Sequence, residues 1–283
     1  MSRGISIFSR YYSFLGNHYP KLSDGVTILR LTHETRGKQV AEYIGAKFNP
    51  KNGYENDLCI HIKPTNLDKV GDGDYVDFSD SRRDLIDKLR SRPKIKVIAH
   101  SLCEHKYLKE RLPNELVHIS QQHLNWERDV RDRKGVTVGG YIGRPSRVAV
   151  KINREIEDRL KGIGIKWVNW FNWSSRQDAI NFYKSVDFLV IGGHGILDEM
   201  NFTAVPTKMI NAASFGVPSI AYWRAGYEEF EGYYAHFQEK DDLLSEVERL
   251  KDESYYQDKS MKLMEKAEEY HLSNVAKLYL ELK

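Results

Sequence analysis

Nine short β-rich runs alternate along this 283-residue chain with longer amphipathic stretches, and that alternation constrains the fold more than any other feature. The strands expected in the first half are Val26–Leu31, Asp57–Ile62, Tyr75–Phe78, Ile95–Ala99 and Leu116–Ile119; in the second half they are Thr137–Tyr141, Lys166–Trp170, Phe188–Ile191 and Ser219–Tyr222. Helices are expected between them at Lys38–Lys47, Ser81–Arg90, Glu104–Arg111, Val148–Gly162, Ser175–Ser185 and Thr207–Phe215. Strands that alternate with helices build parallel sheets from βαβ units, and ligands of open parallel sheets bind beyond the carboxyl ends of the strands.

The charged, aperiodic stretch Asn125–Gly135 precedes a fresh glycine-rich strand, so the chain is read as two α/β domains, residues 1–130 and 131–283, facing a cleft. No run is long and apolar enough to cross a bilayer, and MSRGISIFSRYY lacks the apolar core of a signal peptide. Cys59 and Cys103 have no metal-ligand spacing and read as thiols of a reducing compartment, which makes a cytoplasmic location the expectation. The net charge of +3 conceals a basic stretch, residues 82–111, with ten Lys and Arg against four acids. Such a stretch is either a solvated face or a contact for phosphate-bearing acceptors, nucleic acid or the inner face of a membrane.

The most informative segment runs from Val186 to Phe230. An apolar strand ends at Gly192–Gly193; a polar loop follows; then Pro206 opens a helix with Lys208 in its first turn. Proline suits that position because its missing N–H has no intrahelical partner to lose. Free amides, the helix dipole and a cation together favour an anion there. Gly216 and Pro218 end the helix, a strand follows, and the loop Arg224–Glu229 returns to the same place.

In this order Pro206, Lys208, Asn211, Ala212, Gly216, Pro218, Gly226 and Glu228 resemble the donor-domain signature of GT-B glycosyltransferases of the group 1, or family 4-like, type. The resemblance implies the GT-B fold, two Rossmann-like domains about a cleft, with a short amino-terminal domain. It implies a hexosyltransferase-type enzyme that moves a sugar from a nucleotide-diphosphate sugar, UDP- or GDP-linked, to a glycan, lipid-linked or other hydroxyl acceptor. It also implies no tightly bound cofactor and no metal. Lys208 would stabilise the departing diphosphate, with Thr207, Gly226 and Glu228 beside it and Asn211 on the ribose. The chain departs from the family at Asn211 and Thr203, where members usually carry glutamates, so retaining and inverting outcomes both stay open.

Other loops add candidates. In VTVGGYIGRPSR, Gly140 and Gly143 permit close backbone approach, while Arg144 and Arg147 can neutralise a leaving group. The run Trp167–Trp173 is either core or a platform for the base, with Arg176 and Gln177 following it; His194, between glycines, is either a sugar or phosphate contact or an exposed loop residue. In the first half His33 and Glu34 follow a strand and are candidates for the general base, and Lys63 and Ser101 hold equivalent loop positions. The tail, Tyr255–Lys283, reads as one amphipathic helix with Met261, Met264, Leu278 and Leu282 roughly on one face; it is either the final helix that in the resembled fold packs back against the first domain or a simple carboxy-terminal packing helix. Three other functions fit the same residues: a nucleotide-sugar epimerase, a DNA-modifying glycosyltransferase, and a GT-B-like binding subunit without catalysis.

Overall fold

A computed structural model describes residues 4–9, 33–64, 66–78, 83–131, 133, 135–143, 147–171, 175–191 and 205–282. It contains two parallel sheets. The first has six strands in the order β2-β1-β3-β4-β5-β6. These are β1 (Ile5–Ser9), β2 (Lys47–Phe48), β3 (Leu58–Ile62), β4 (Tyr75–Asp77), β5 (Lys96–Ala99) and β6 (Leu116–His118). The second has five, in the order β11-β10-β9-β7-β8: β7 (Val138–Ile142), β8 (Lys166–Trp170), β9 (Phe188–Ile191), β10 (Ser219–Ala221) and β11 (Ala235–His236).

Both faces of each sheet are covered, which explains why a central strand such as FLVI is an unbroken apolar run rather than an alternating one. LCIHI in β3 and FLVI in β9 are buried at every position. On one face of the first sheet, Ile7, Ile60 and Ile98 pack with α1, which opens as a π-helix at His33–Gln39 and continues as an α-helix at Val40–Ile44. On the other face, Val76 and Val97 meet α2 (Arg83–Arg90) and α3 (Leu102–Lys109). The second sheet lies between two further clusters, fed by α4 (Arg147–Gly162), α5 (Arg176–Ser185), α6 (Thr207–Ser214), α7 (Lys240–Leu250) and α8 (Glu253–Ala267).

Most expected elements stand within a few residues of their predicted bounds, and the strands at Lys166–Trp170 and Phe188–Ile191 coincide with them. The expected strand Val26–Leu31 lies outside the described residues. β1 was not anticipated, because ISIFS lies in a stretch read only for a leader. The tail is not one helix. Its α8 ends at Ala267, a 3-10 turn covers Glu268–Tyr270, and α9 (Leu272–Leu280) starts afresh. The break changes the buried face: Met261, Met264 and Leu278 are exposed, whereas Leu263 and Ala267, then Val275, Ala276 and Tyr279, are buried. The reason is the change of partner, since α8 packs on the second domain through Leu263 and α9 on the first through Leu272, Val275 and Tyr279.

That return is held by buried charge. Arg36 and Asp77 are both fully buried and paired at 2.7 Å. Arg36 also donates to the carbonyls of Ser120 and Ile119. Asp77 is hydrogen-bonded to His100, and its Oδ2 accepts the Tyr279 hydroxyl at 3.2 Å. Despite burial, which opposes ionisation, the Arg36 guanidinium and His100 hold the Asp77 carboxyl well below the usual range. No helix among the described residues is long and apolar enough to cross a membrane.

Candidate functional site

At the carboxyl edge of the second sheet, α6 begins at Thr207 as expected, with Pro206 as its N-cap rather than its first helical residue. Its amino end opens on a cavity of about 280 Å³. Tyr141 of β7, Ile191 of β9, Thr207 and Lys208 of α6, and Arg224 and Tyr227 from the segment after β10 line it. The Thr207 N–H is already taken by the Val205 carbonyl. The remaining first-turn amides have no partner within the helix and present a partial positive charge.

Lys208 Nζ lies 4.6 Å from the centroid of the Tyr141 ring. Burial, reinforced by nearby Arg224, pulls its pKa down to about 8. Burial likewise raises the Tyr141 and Tyr227 hydroxyls. Among the described ion pairs, neither Lys208 nor Arg224 has a carboxylate partner. Two cations at a helix amino end, one of them losing proton affinity to burial and to the other, make this end of the cavity electropositive.

Gly143 belongs to this site. A Cβ there would stand 2.7 Å from the Tyr141 hydroxyl and 2.9 Å from Lys208 Nζ. Gly140 does not, contrary to expectation: a Cβ would stand 2.5 Å from Val186 Cγ1 and 2.9 Å from Phe182 Cζ, so its bareness serves the packing of β7 against the elements behind it. Asn211 is also corrected. It is 3% exposed, its Oδ1 accepts the Leu124 N–H at 2.9 Å, and its amide bonds the Tyr183 hydroxyl. It ties α6 to the chain crossing between the domains and does not line the cavity. Arg176, too, serves the crossing, through Glu127 and the Leu124 carbonyl.

Gly226 is buried in the 3-10 turn Ala225–Phe230, between the cavity residues Arg224 and Tyr227. Glu228, in the same turn, reaches across to the first domain, where Lys106 of α3 pairs with it at 3.0 Å. Arg147 opens α4, and its side chain lies outside what is described. Arg144 and His194 lie outside the described residues. Trp167 is buried in the core, and Trp170 is tilted against Phe182.

In the first domain His33 and Glu34 stand in the π-helix rather than in a loop before a helix, because helical structure begins at His33 instead of Lys38. His33 is buried, and Glu34 is 3.9 Å from Lys38. Ser101 caps α3 by accepting the Glu104 N–H. Several cations of the basic stretch are matched by acids within it or beside it: Arg90 pairs with Asp87, Arg92 and Lys94 with Asp72, Lys96 with Glu115, and Arg111 with Glu110. Arg224 is the residue sequence reasoning passed over. It was legible only as the start of a loop, and what gives it meaning is its proximity to Lys208.

No family model matches this chain, and no curated protein matches it in sequence. Solved structures do. The chain is similar to a glycosyltransferase from Rickettsia africae ESF-5, with a TM-score of 0.64 at 12% identity over 99% of this chain and 98% of that one. It is similar to TarM, with a TM-score of 0.53 at 14% identity over 82% of this chain and 51% of that one, so it spans about half of TarM's length. It is also similar to an alpha-glucosyltransferase in complex with UDP, with a TM-score of 0.52 at 9% identity over 99% of both chains. These likenesses and the two parallel sheets show the GT-B fold.

Proposed function

We propose that this protein is a glycosyltransferase that takes a sugar from a nucleotide-diphosphate sugar, with the diphosphate seated at the amino end of α6. The observation that carries this reading is the cavity at that helix end, where Lys208 and Arg224 converge. A GT-B fold that includes a UDP-bound neighbour supports it and makes a UDP-sugar the first donor to test, ahead of a GDP-sugar.

In the mechanism that follows, the first-turn amides and Lys208 hold the diphosphate, and Arg224 meets its other side. As the bond from the anomeric carbon to the phosphate oxygen breaks, negative charge grows on that oxygen. Preorganised cations in a partly dry cavity stabilise that charge more than water does. Gly143 lets the β7 backbone approach without a side chain in the way. The acceptor hydroxyl, glycan or lipid-linked, enters from the carboxyl edge of the short amino-terminal domain; closure brings its oxygen into line to bond the anomeric carbon, while its proton passes to His33 or Glu34 as base or to the departing diphosphate. Thr207 and Gly226 complete the donor contacts, and Arg144, Arg147 and His194 are assigned to the donor from the sequence alone. With Asn211 turned inward, this reading gives the ribose no contact to that residue.

The test is a thermal-shift screen against UDP-, GDP-, ADP- and CMP-linked sugars, followed by assay of donor hydrolysis and transfer. A ligand that binds only the folded state raises the melting temperature, by about 2.7 kcal/mol of stability at one hundred times Kd. A UDP- or GDP-sugar is expected to give the shift and to be turned over. A shift without hydrolysis or transfer would instead identify a binding subunit, and no shift with any nucleotide sugar would overturn the reading.

A further inference from the structure

The turn that supplies the cavity also meets the other domain. The 3-10 turn Ala225–Phe230 and its N-cap Arg224 carry Arg224 and Tyr227 toward the cavity and Glu228 and Glu229 toward the first domain. We propose that Glu229 is a positioning residue, which joins α3 and β6 to this turn and so sets the placement of Arg224 and Tyr227 according to how the domains meet. This inference rests on the donor-site reading above.

The contacts are specific. The Glu229 carboxylate, 8% exposed, lies 3.7 Å from His118 Nε2 at the end of β6. It also accepts the backbone N–H of Leu102, the first residue of α3. Unpaired amides and the dipole at a helix start favour a carboxylate there. Ser101 already caps Glu104, so the two oxygens satisfy different amides of one helix end. One turn along α3, Lys106 holds Glu228. On the cavity side the Tyr227 N–H donates to the Arg224 carbonyl at 2.9 Å, and the Glu231 N–H to the Glu228 carbonyl at 3.2 Å. A turn hydrogen-bonded along its length moves as a piece, so a shift at Glu229 reaches Tyr227 and Arg224.

The joint is also sensitive to protons. Burial pushes the Glu229 carboxyl up to about 7, with Glu228 and Glu269 adding to the rise against the Leu102 amide and Lys266. Facing it from α3 is Cys103, from the end of α8 Lys266, and from the 3-10 turn after α8 Glu269 and Tyr270. Across the gap, burial lowers His118 to about 4, with His105, His100 and Arg36 also disfavouring its charge. Because the joined state raises the Glu229 pKa from 4.5, it holds a proton that a separated state releases. The joint is therefore fully favoured below about pH 4.5 and weakens as pH rises through 7.

The experiment measures Kd for UDP by calorimetry between pH 5.5 and 7.5 for the wild type, Glu229→Gln and Glu229→Ala, with ligand-free melting temperatures over the same range. Glutamine keeps an acceptor for the Leu102 N–H but cannot ionise; UDP's own titration cancels when Kd values are compared at one pH. The ratio of wild-type to Glu229→Gln Kd is expected to rise about fivefold across the range, a normal size for coupling between sites, and Glu229→Ala to bind more weakly throughout. A merely structural role would lower the melting temperature and leave that ratio flat. A flat ratio with UDP still bound overturns the positioning role and leaves the donor reading standing; no UDP binding by the wild type overturns both.

Discussion

Lys208 Nζ sits 4.6 Å above the centroid of the Tyr141 ring, inside a cavity that Arg224 also lines. The ring offers its negative face to the ammonium, but a neutral ring is a weak substitute for a counter-ion. An arrangement of this kind keeps a cation in place and leaves it with unspent affinity for an anion.

Replacement of that cation separates binding from folding. Lys208→Met keeps the length of the side chain and removes the charge, so it is expected to weaken UDP binding by roughly 1.5–3 kcal/mol, the range for hydrogen bonds to charged groups. Because burial opposes the lysine's charge, the ligand-free melting temperature is expected not to fall. Arg224→Ala is expected to weaken UDP in the same direction. Calorimetry with UDP and melting without it check both; a Lys208→Met protein with wild-type affinity contradicts the phosphate role.

The same lysine sets a pH dependence. Its pKa is pulled from 10.5 down to about 8, so UDP affinity is expected to decline as pH rises through 8 and the ammonium loses its proton. For stability the sign runs the other way. Between pH 8 and 10.5 the unfolded chain binds this proton more readily than the folded one, so the lysine's contribution to stability improves across that window. UDP titrations and melts between pH 7 and 9.5, each compared with Lys208→Met, resolve the two effects.

Two glycines three residues apart are expected to fail in different ways. Gly140→Ala drives a methyl into Val186 and Phe182, and overpacking of this kind costs about 1–3 kcal/mol. The folded fraction should still bind UDP normally. Gly143→Ala places its methyl against the Tyr141 hydroxyl and Lys208 Nζ, so loss of UDP affinity should be its dominant effect. Paired calorimetry and melting curves distinguish the two; equal affinity losses would contradict the assignment of Gly140 to packing.

Asp77 joins three parts of the first domain to α9. Its substitution by asparagine leaves Arg36 buried without its charge partner, an expected loss of about 3–5 kcal/mol in chemical denaturation. Because the folded protein holds this carboxyl below its ordinary 3.8, its contribution is present above that value and is lost as pH falls below it. The acid limb of the stability profile is therefore expected to be shallower in Asp77→Asn than in the wild type.

The sequence exposed what is local and concealed what depends on a second element. Pro206, Lys208, Gly216 and Pro218 announce the start and end of α6 because helix boundaries follow from a missing N–H and a left-handed glycine at φ 63°. Burial of β9 follows from its unbroken apolar run. By contrast, Asn211 reads as a ligand contact from its place in a motif and Gly140 from its glycine-rich turn, and only the positions of Leu124, Val186 and Phe182 reveal that both face protein. Arg224 and Glu229 gain their meaning from Lys208 and from Leu102 of α3, distant contacts that no local pattern encodes. The break at Glu268–Tyr270 is not legible in the sequence because the apolar periodicity on either side is similar, while the surfaces it serves belong to different domains.

The central claim, a diphosphate at the amino end of α6, is tested most directly by a crystal structure of the UDP complex. The account predicts the β-phosphate within hydrogen-bonding distance of the first-turn amides of α6 and of Lys208 Nζ, with the Arg224 guanidinium on its other side. UDP bound elsewhere in the cleft, with that helix end turned toward protein, would contradict it.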